Sequence, residues 1–410
     1  MTTIDAVDRA AIAAEAPPRS VAPKRPRIQS LDLIRGAVMI LMAIDHVRVY
    51  SGLPAGGPTP GIFFTRWITN FCAPAFVFLA GTGAFLYGDK AAQKVRLSRF
   101  LLTRGAWLVL LELTVLRLAW TFNFDYRHYL LAGVIWMLGW CFILMAGLVR
   151  LPLWAITVVG AAIVGLHDLL DPFLPRIVPA LQASSGAWFW QILYFGGPIS
   201  LGGKGGPLLA VLFSIVPWIG VMALGYSFGA LFRLEPAARR RVCFRLGLGA
   251  IALFLVLRGF NLYGDPRPWT ASKLPPLLAF LNTAKYPASL SFLLMTLGPA
   301  IALIPLLERA RGWLSDAVAL FGRVPLFYYL LHIPLIHALA LVVTGLRDRG
   351  DLSWLFQNHP MMPPPPPQTM VWSLPLLYLV FAVAIGLLYL PCRWFAGLKA
   401  RRRDPWLSYL

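Results

Sequence analysis

The sequence predicts an all-α integral membrane protein, a polytopic bundle of about ten transmembrane helices with both termini in the cytoplasm. The chain is 58% hydrophobic and only 13% charged, whereas a soluble chain carries about 25% charged residues. Its apolar residues are grouped in windows of about 20 residues, the length that crosses the hydrocarbon core of a bilayer. Segments rich in Lys and Arg alternate with segments poor in them, as the connections of a multi-pass protein do.

Ten apolar windows are predicted to span the membrane. In chain order they are 29–50, 66–88, 98–120, 129–149, 151–170, 207–232, 243–260, 286–307, 324–346 and 371–396. The basic segments are 1–28, 89–105, 233–245 and 393–403, and the less basic connections are 51–65, 171–206, 261–285 and 347–370. Because Lys and Arg accumulate in cytoplasmic connections, the first set and both termini are placed in the cytoplasm.

The chain is expected to form three regions. Residues 1–28 mix Ala, Pro and charge without the apolar core of a signal peptide, which predicts a disordered cytosolic tail. Residues 29–396 form one transmembrane domain and 397–410 a basic cytosolic tail. Membrane topology accounts for the net charge of +20, so we expect no binding to nucleic acid. The four cysteines form no CxxC pair, so neither a disulfide framework nor a metal site is expected.

The first apolar window contains charged residues where a membrane span should have none: Asp32, Arg35, Asp45 and His46. Ionisable residues inside a membrane are costly, and they are functional candidates by default. Arg35 and His46 are 11 residues apart, close to three helical turns, so they share one face of the helix. They are separated by roughly 16 Å along the axis. We expect both to face one polar passage, which suits a long ligand with an anionic part and a reactive end.

Each of these residues has two interpretations. His46 can act as a general base near neutral pH, or it can be a structural histidine that is hydrogen-bonded between helices. Arg35 stays charged and needs a partner, which is either Asp32 one turn earlier or a phosphate or carbonyl of a ligand. The Asp32–Arg35 pair can be a structural clamp, and this interpretation is compatible with ligand binding.

Polar residues near the predicted outer surface are candidates for binding a second substrate. Asn70 lies near the start of the second window, 66–88, and near the same surface as His46. Lys285 and Tyr286 come just before or at the start of the eighth window. These two side chains are equally compatible with ordinary anchors at the level of the lipid headgroups.

Further ionisable residues occur in or beside other windows. His332 and His337 are five residues apart in the ninth window, so their directions differ by about 140° and a two-histidine metal face is disfavoured. His332 is expected to face the interior, with Arg323 at the cytoplasmic end. Glu112 and Arg117 in the third window are a possible buried pair.

Four motifs together resemble a known superfamily. The segment Ser30-Leu-Asp-Leu-Ile-Arg-Gly36 followed by His46 resembles the Arg-x10-His signature of membrane-bound acyltransferases. The further matches are Trp67–Gly81, Asn282–Pro287 and Phe321–His332. From about residue 27 to 396, the chain is similar to the bacterial relatives of heparan-alpha-glucosaminide N-acetyltransferase, the family labelled DUF1624.

The resemblance implies a transmembrane acyltransferase-like domain over 29–396, in the inner (cytoplasmic) membrane of a bacterium. Such an enzyme takes an acetyl group from cytosolic acetyl-CoA as co-substrate and passes it to a hydroxyl or amino group, usually on a sugar, at the opposite face. Residues 51–69 contain no histidine, so His46 would take the place of the histidine that the lysosomal enzyme has after its first span. The implied catalytic residues are His46, Arg35, Asp45 and Asp32. Acetyl-CoA would be bound by Arg35 and Arg323. The acceptor would be bound by Asn70, Lys285, Tyr286 and His332.

Two other classes of protein fit the same pattern. A transporter or permease also has about ten spans with buried charge, although no internal repeat is evident in the sequence. A non-catalytic membrane protein would use Asp32, Arg35 and His46 only to connect helices. The sequence leaves the acceptor, the oligomeric state and the choice between direct transfer and an acetyl-histidine intermediate open.

Overall fold

The computed structural model describes residues 28–56, 59–88, 94–203, 205–348, 351–360, 365–402 and 404–408. The tail predicted for residues 1–28 lies outside these ranges except for Ile28. In the described part the helices are α1 (Gln29–Tyr50), α2 (Pro60–Trp67), α3 (Cys72–Gly88), α4 (Lys94–Leu111), α5 (Arg117–Thr121), α6 (Val134–Leu148), α7 (Leu153–Leu166), α8 (Leu174–Ala183), α9 (Ala187–Trp190), α10 (Val216–Phe228), α11 (Pro236–Gly259), α12 (Pro276–Leu281), α13 (Leu290–Leu307), α14 (Trp313–Arg323), α15 (Pro325–Asp348) and α16 (Leu374–Arg401).

Short segments of tighter or wider helix connect or follow several of these helices. Those with 3₁₀ geometry are Ile68–Phe71, His167–Phe173, Gly229–Arg233, Trp269–Ala271, Ser353–Phe356, Gln368–Met370 and Pro405–Ser408. Glu112–Leu116 and Gln191–Phe195 have π geometry. As a result, three pairs of helices are nearly continuous: α2 with α3, α4 with α5, and α7 with α8.

Six helical stretches in the described ranges are long and apolar enough to cross a membrane. They are Pro60–Gly88, Leu153–Ala183, Pro236–Gly259, Leu290–Leu307, Pro325–Arg347 and Leu374–Arg401. Each of them falls on one of the ten predicted windows. The other four windows contain α1 and α4, which include several charged residues, and the shorter α6 and α10, which have 15 and 13 residues. The count of ten spans and the cytoplasmic position of the termini therefore stay predictions.

The fold is nearly all-α, but three short strands form a sheet within the described residues. Strand β1 (Tyr129–Ala132) runs parallel to β3 (Leu208–Val211), and β2 (Gly197–Ser200) runs antiparallel to β3. The windows 129–149 and 207–232 were predicted as helix throughout, and this is wrong for their first residues. Short apolar runs such as Leu208–Val211 have no period that distinguishes a strand from a buried helix.

Helix α1 lies inside the bundle, where it contacts α3, α13, α14, α15 and α16. It crosses α14 very closely, at Gly36 on α1 and Gly322 on α14. A Cβ atom on Gly36 would lie 1.9 Å from the carbonyl oxygen of Val318, and one on Gly322 would lie 1.9 Å from that of Asp32. The two backbones can touch only because both positions are glycine. This contact sets the position of Arg35, the neighbour of Gly36.

The predicted pair of Glu112 and Arg117 is wrong. Arg117 is fully buried, and its guanidinium donates to the carbonyl oxygens of Tyr129, at 3.1 Å, and Asn123. It therefore connects the end of α5 to the chain that follows. The carboxylate of Glu112 binds instead to the start of α6, and a π segment, Glu112–Leu116, separates the two residues.

Candidate active site

His46 and His332 face each other between α1 and α15. Nδ1 of His46 lies 2.6 Å from Nε2 of His332, and the rings stack with centroids 4.8 Å apart. His332 is fully buried, and its Nδ1 lies 2.7 Å from the carbonyl oxygen of Tyr329. The predicted contact of His332 with the acceptor is therefore indirect, because His332 lies behind His46. His337, which was not expected to face the interior, is also buried, 2.9 Å from the carbonyl oxygen of Leu355.

The carbonyl oxygen of Tyr329 determines the direction of the hydrogen bonds in this pair. A carbonyl oxygen only accepts, so a neutral His332 has its proton on Nδ1 and a lone pair on Nε2. That lone pair accepts a hydrogen bond from Nδ1 of His46, which leaves Nε2 of His46 with a lone pair of its own. Within the ranges given above, no group hydrogen bonds to that nitrogen. His46 is therefore arranged as a proton acceptor.

A cavity of about 280 Å³ lies beside His46 and is called the histidine cavity here. It is bounded by α1, the Arg66–Ala73 stretch, the loop before α6 and the segment at Lys285–Tyr286. Its polar and charged lining residues include Asp45, His46, Arg48, Arg66, Thr69, Glu112, Lys285, Tyr286 and Tyr329. The cavity therefore combines a proton acceptor with groups of both charges.

Asp45 lies next to His46 in the sequence but pairs with arginines. Its Oδ1 lies 2.9 Å from Nε of Arg48 and 3.6 Å from Nε of Arg66. Arg66 also donates to the side-chain oxygen of Asn70 at 2.8 Å. Asn70 is not among the residues that line the histidine cavity. Both predicted site residues thus position Arg66, which does line the cavity.

Lys285 and Tyr286 both line the histidine cavity. The ammonium group of Lys285 lies 5.9 Å from the ring centroid of Phe213 and 5.4 Å from that of Tyr286. Among the described residues, no carboxylate or hydrogen-bond acceptor pairs with this ammonium. The chain just before Lys285 is held by two hydrogen bonds. Arg258 donates to the carbonyl oxygen of Asn282 at 3.2 Å, and the Ala284 N–H donates to Asp265 at 2.9 Å.

A second cavity, of about 310 Å³, is called the arginine cavity here. Arg35 and Arg104 are its cationic residues, and most of the others are aliphatic or aromatic. Arg35 Nη1 lies 3.2 Å from Asp32 and 3.2 Å from the carbonyl oxygen of Gly322. Asp32 is not among the residues that line either cavity, and neither is Arg323. Asp32 therefore holds Arg35 in place, as the clamp interpretation proposed.

The two cavities meet at a shared wall. Phe76, Val134 and Tyr329 line both of them. Arg35 and His46 lie on one continuous helix, α1, as the sequence predicts. However, each faces its own cavity, so the expected single passage consists of two adjoining spaces with three side chains between them.

Glu112, which the sequence indicated only as a possible partner of Arg117, is fully buried on the wall of the histidine cavity. Its Oε2 accepts hydrogen bonds from the backbone N–H groups of Ile135, at 2.8 Å, and Trp136, at 3.0 Å, in the first turn of α6. Oε1 has no hydrogen-bond partner in the described structure. The sequence signal that could have identified Glu112 as a site residue is an acidic residue inside an apolar window. The same criterion selected Asp32 and Asp45 in the first window.

No group of three or more His, Cys, Asp or Glu side chains in the described ranges is arranged to hold a metal ion. The four cysteines are buried as free thiols.

Comparison with known proteins connects the chain to a described family. A family model described as "Heparan-alpha-glucosaminide N-acetyltransferase, catalytic" matches residues 27–261. No curated protein matches the chain. The matched range includes Arg35, His46, Arg66 and Glu112.

Proposed function

This chain belongs to the heparan-alpha-glucosaminide N-acetyltransferase catalytic family, and from that premise we propose that it moves an acetyl group from acetyl-CoA to an amino or hydroxyl group of a sugar-like acceptor. Membership of the family indicates a multi-pass membrane acetyltransferase. The donor, the acceptor and the sides of the membrane are our proposal. We place the protein in the cytoplasmic membrane of a bacterium, with both termini and the Arg35 end of α1 on the cytosolic side.

The arginine cavity suits the acyl-pantetheine arm of acetyl-CoA. Its aliphatic and aromatic walls fit the arm, and Arg35 and Arg104 supply positive charge. Arg323 follows Gly322, whose carbonyl oxygen binds Arg35. We therefore assign Arg323 to the same end, where it would attract the phosphates of acetyl-CoA from outside the cavity.

The histidine cavity is the proposed acceptor site, and His46 is the proposed base. As the acceptor oxygen or nitrogen forms a bond to the acetyl carbon, its proton moves to Nε2 of His46. The bond between that carbon and the thioester sulfur breaks, and the proton passes from His46 to the sulfur, which leaves as free CoA. His332 keeps the Nε2 lone pair of His46 facing the cavity. Lys285, Tyr286 and Arg66 are placed to bind the acceptor.

One observation supports this function most directly: the cavity with the His46 lone pair adjoins the cavity with Arg35 at a wall of three side chains. A donor and an acceptor bound in the two cavities would meet at that wall. We propose that the catalytic domain extends past the matched residues to 396, because Lys285, Tyr329 and His332 complete the site from that part of the chain.

The test uses the full chain purified in nanodiscs, with acetyl-CoA and glucosamine, and follows the release of the CoA thiol. His46→Ala should lower kcat by about 10²- to 10⁴-fold, the usual contribution of a general base. The stabilisation of the protein by CoA should persist, since CoA binds in the other cavity. His128→Ala is the matched control, because the side chain of His128 is 73% exposed and lines neither cavity. Full activity of His46→Ala would remove this histidine from the mechanism.

A further inference from the structure

Glu112 is a buried carboxyl group with one oxygen bound and the other available. The N–H groups of Ile135 and Trp136 bind Oε2 at the start of α6, the positive end of the helix dipole. Oε1 is buried, and no donor reaches it from the described residues. A buried polar oxygen without a partner is costly, so a partner that arrives with a ligand would remove that cost.

Oε1 belongs to a residue on the wall of the histidine cavity, although the oxygen itself is buried. Glu112 and Gly133 both line the cavity, and a Cβ atom on Gly133 would lie 2.7 Å from Oε1. Gly133 has φ of −88°, a conformation that any residue adopts, so the backbone does not require glycine there. Glycine at this position therefore puts no side chain against the Glu112 oxygen.

We propose that Oε1 of Glu112 binds the amino group of the acceptor, which makes Glu112 a residue that selects amines over alcohols; this rests on the proposed function. The site also adjoins the wall shared with the arginine cavity, because Val134 follows Gly133 and lines both cavities. An ammonium group donates charge-assisted hydrogen bonds to a carboxylate, which are stronger than those of a hydroxyl group. Before transfer the ammonium gives one proton to the Glu112 carboxylate, so that the neutral amine attacks the acetyl carbon and its next proton moves to His46. The amino group held there would lie in the same cavity as the His46 lone pair.

The experiment measures sugar binding to the full chain in nanodiscs, without acetyl-CoA, so that binding is separate from acetyl transfer. The probes are glucosamine and glucose, which differ only in an amino or a hydroxyl group at one carbon. Glu112→Gln keeps an oxygen for the two N–H groups of α6 and presents an amide NH₂ group to the cavity. Gly133→Ala keeps the carboxylate and covers Oε1.

The wild-type protein should bind glucosamine more tightly than glucose. Both variants should weaken glucosamine binding by about tenfold or more, the usual effect of losing a hydrogen bond to a charged group, and should leave glucose binding unchanged. Glu308→Gln is the matched control: it removes another mostly buried carboxylate, which pairs with Arg239 at 2.7 Å and lines neither cavity.

Unchanged glucosamine binding in both variants, an equal loss for both sugars, or a wild-type protein that does not prefer glucosamine would each overturn this assignment. If Glu112→Gln does not fold, the binding of glucosamine and glucose to Gly133→Ala tests the assignment alone. Failure of the proposed function has a different signature, in which the wild-type protein prefers glucosamine but transfers no acetyl group to it.

Discussion

Nδ1 of His46 and Nε2 of His332 lie 2.6 Å apart, although 286 residues separate them in the chain. The Tyr329 carbonyl oxygen beyond His332 accepts a hydrogen bond and thereby assigns the proton positions in both rings. A histidine whose other nitrogen is held in this way has its free lone pair in a defined direction. The reactivity of His46 should therefore depend on a residue that touches neither substrate.

This dependence predicts different outcomes for two variants of His332. In His332→Gln, the amide oxygen can accept from His46 and the NH₂ group can donate to the Tyr329 carbonyl oxygen. In His332→Leu, neither hydrogen bond is possible. Steady-state kinetics should show that kcat of His332→Leu falls by about tenfold or more with KM for both substrates nearly unchanged. His332→Gln should retain more of kcat. Equal kcat values for the two variants would show that His332 only fills space.

The wall between the cavities predicts a variant that binds both substrates but does not transfer. Val134→Phe enlarges a side chain that lines both cavities. It should lower kcat by about 100-fold, the order of loss that a misplacement near 1 Å produces. Leu138→Phe is the comparison, since Leu138 lines only the arginine cavity and should raise KM for acetyl-CoA instead. A higher acceptor KM with normal kcat in Val134→Phe would contradict the shared wall.

Lys285 predicts a preference for acceptors with an anionic group. Its ammonium lies on the histidine cavity, and among the described residues it contacts two aromatic rings but forms no direct ion pair with a carboxylate. Wild-type protein should therefore have a lower KM for glucosamine 6-phosphate than for glucosamine. Lys285→Met should remove this difference, with a loss of about tenfold for the phosphorylated sugar. Lys273→Met is the control, because Lys273 is exposed and lines neither cavity. If Lys285→Met still has a lower KM for glucosamine 6-phosphate than for glucosamine, the phosphate binds to Arg66 or Arg48 instead of Lys285.

The close crossing of α1 and α14 predicts a strong effect of one methyl group. In Gly322→Ala the new Cβ would lie 1.9 Å from the carbonyl oxygen of Asp32, so the helices must separate at the position that holds Arg35. We expect a loss of about 1–3 kcal/mol in unfolding free energy, measured as a lower midpoint of thermal unfolding, and a higher KM for acetyl-CoA. Gly345→Ala should be neutral or stabilising, since no atom lies within 4 Å of its added Cβ. A Gly322→Ala protein as stable as this control would exclude the close contact.

The helical period was sufficient to predict the arrangement along α1. Asp32, Arg35 and His46 lie on one helix as expected, and the Asp32–Arg35 pair forms with a distance of 3.2 Å. Their spacing depends only on local geometry, which the sequence determines directly. The partner of His46 comes from α15, and nothing in the local pattern specifies which of two buried histidines there meets it.

The expectations that failed depend on contacts distant in the sequence. Arg117 and Glu112 have opposite charges and suitable spacing for a pair, but backbone groups bind both of them. A backbone carbonyl or a helix N-terminus leaves no mark in the pattern of side chains. Strand β3 was likewise assigned to a helix, because its pairing with β1 joins residues about 80 positions apart, such as Leu131 and Ala210.

Because α1 runs without a break from Gln29 to Tyr50, the number of residues in the stretch 36–45 is fixed by the geometry of the helix. One inserted or deleted residue would turn His46 by about 100° around the axis relative to Arg35. The histidine would then leave His332 while the arginine stayed at α14. Homologous enzymes with the same chemistry should therefore align through this stretch without gaps.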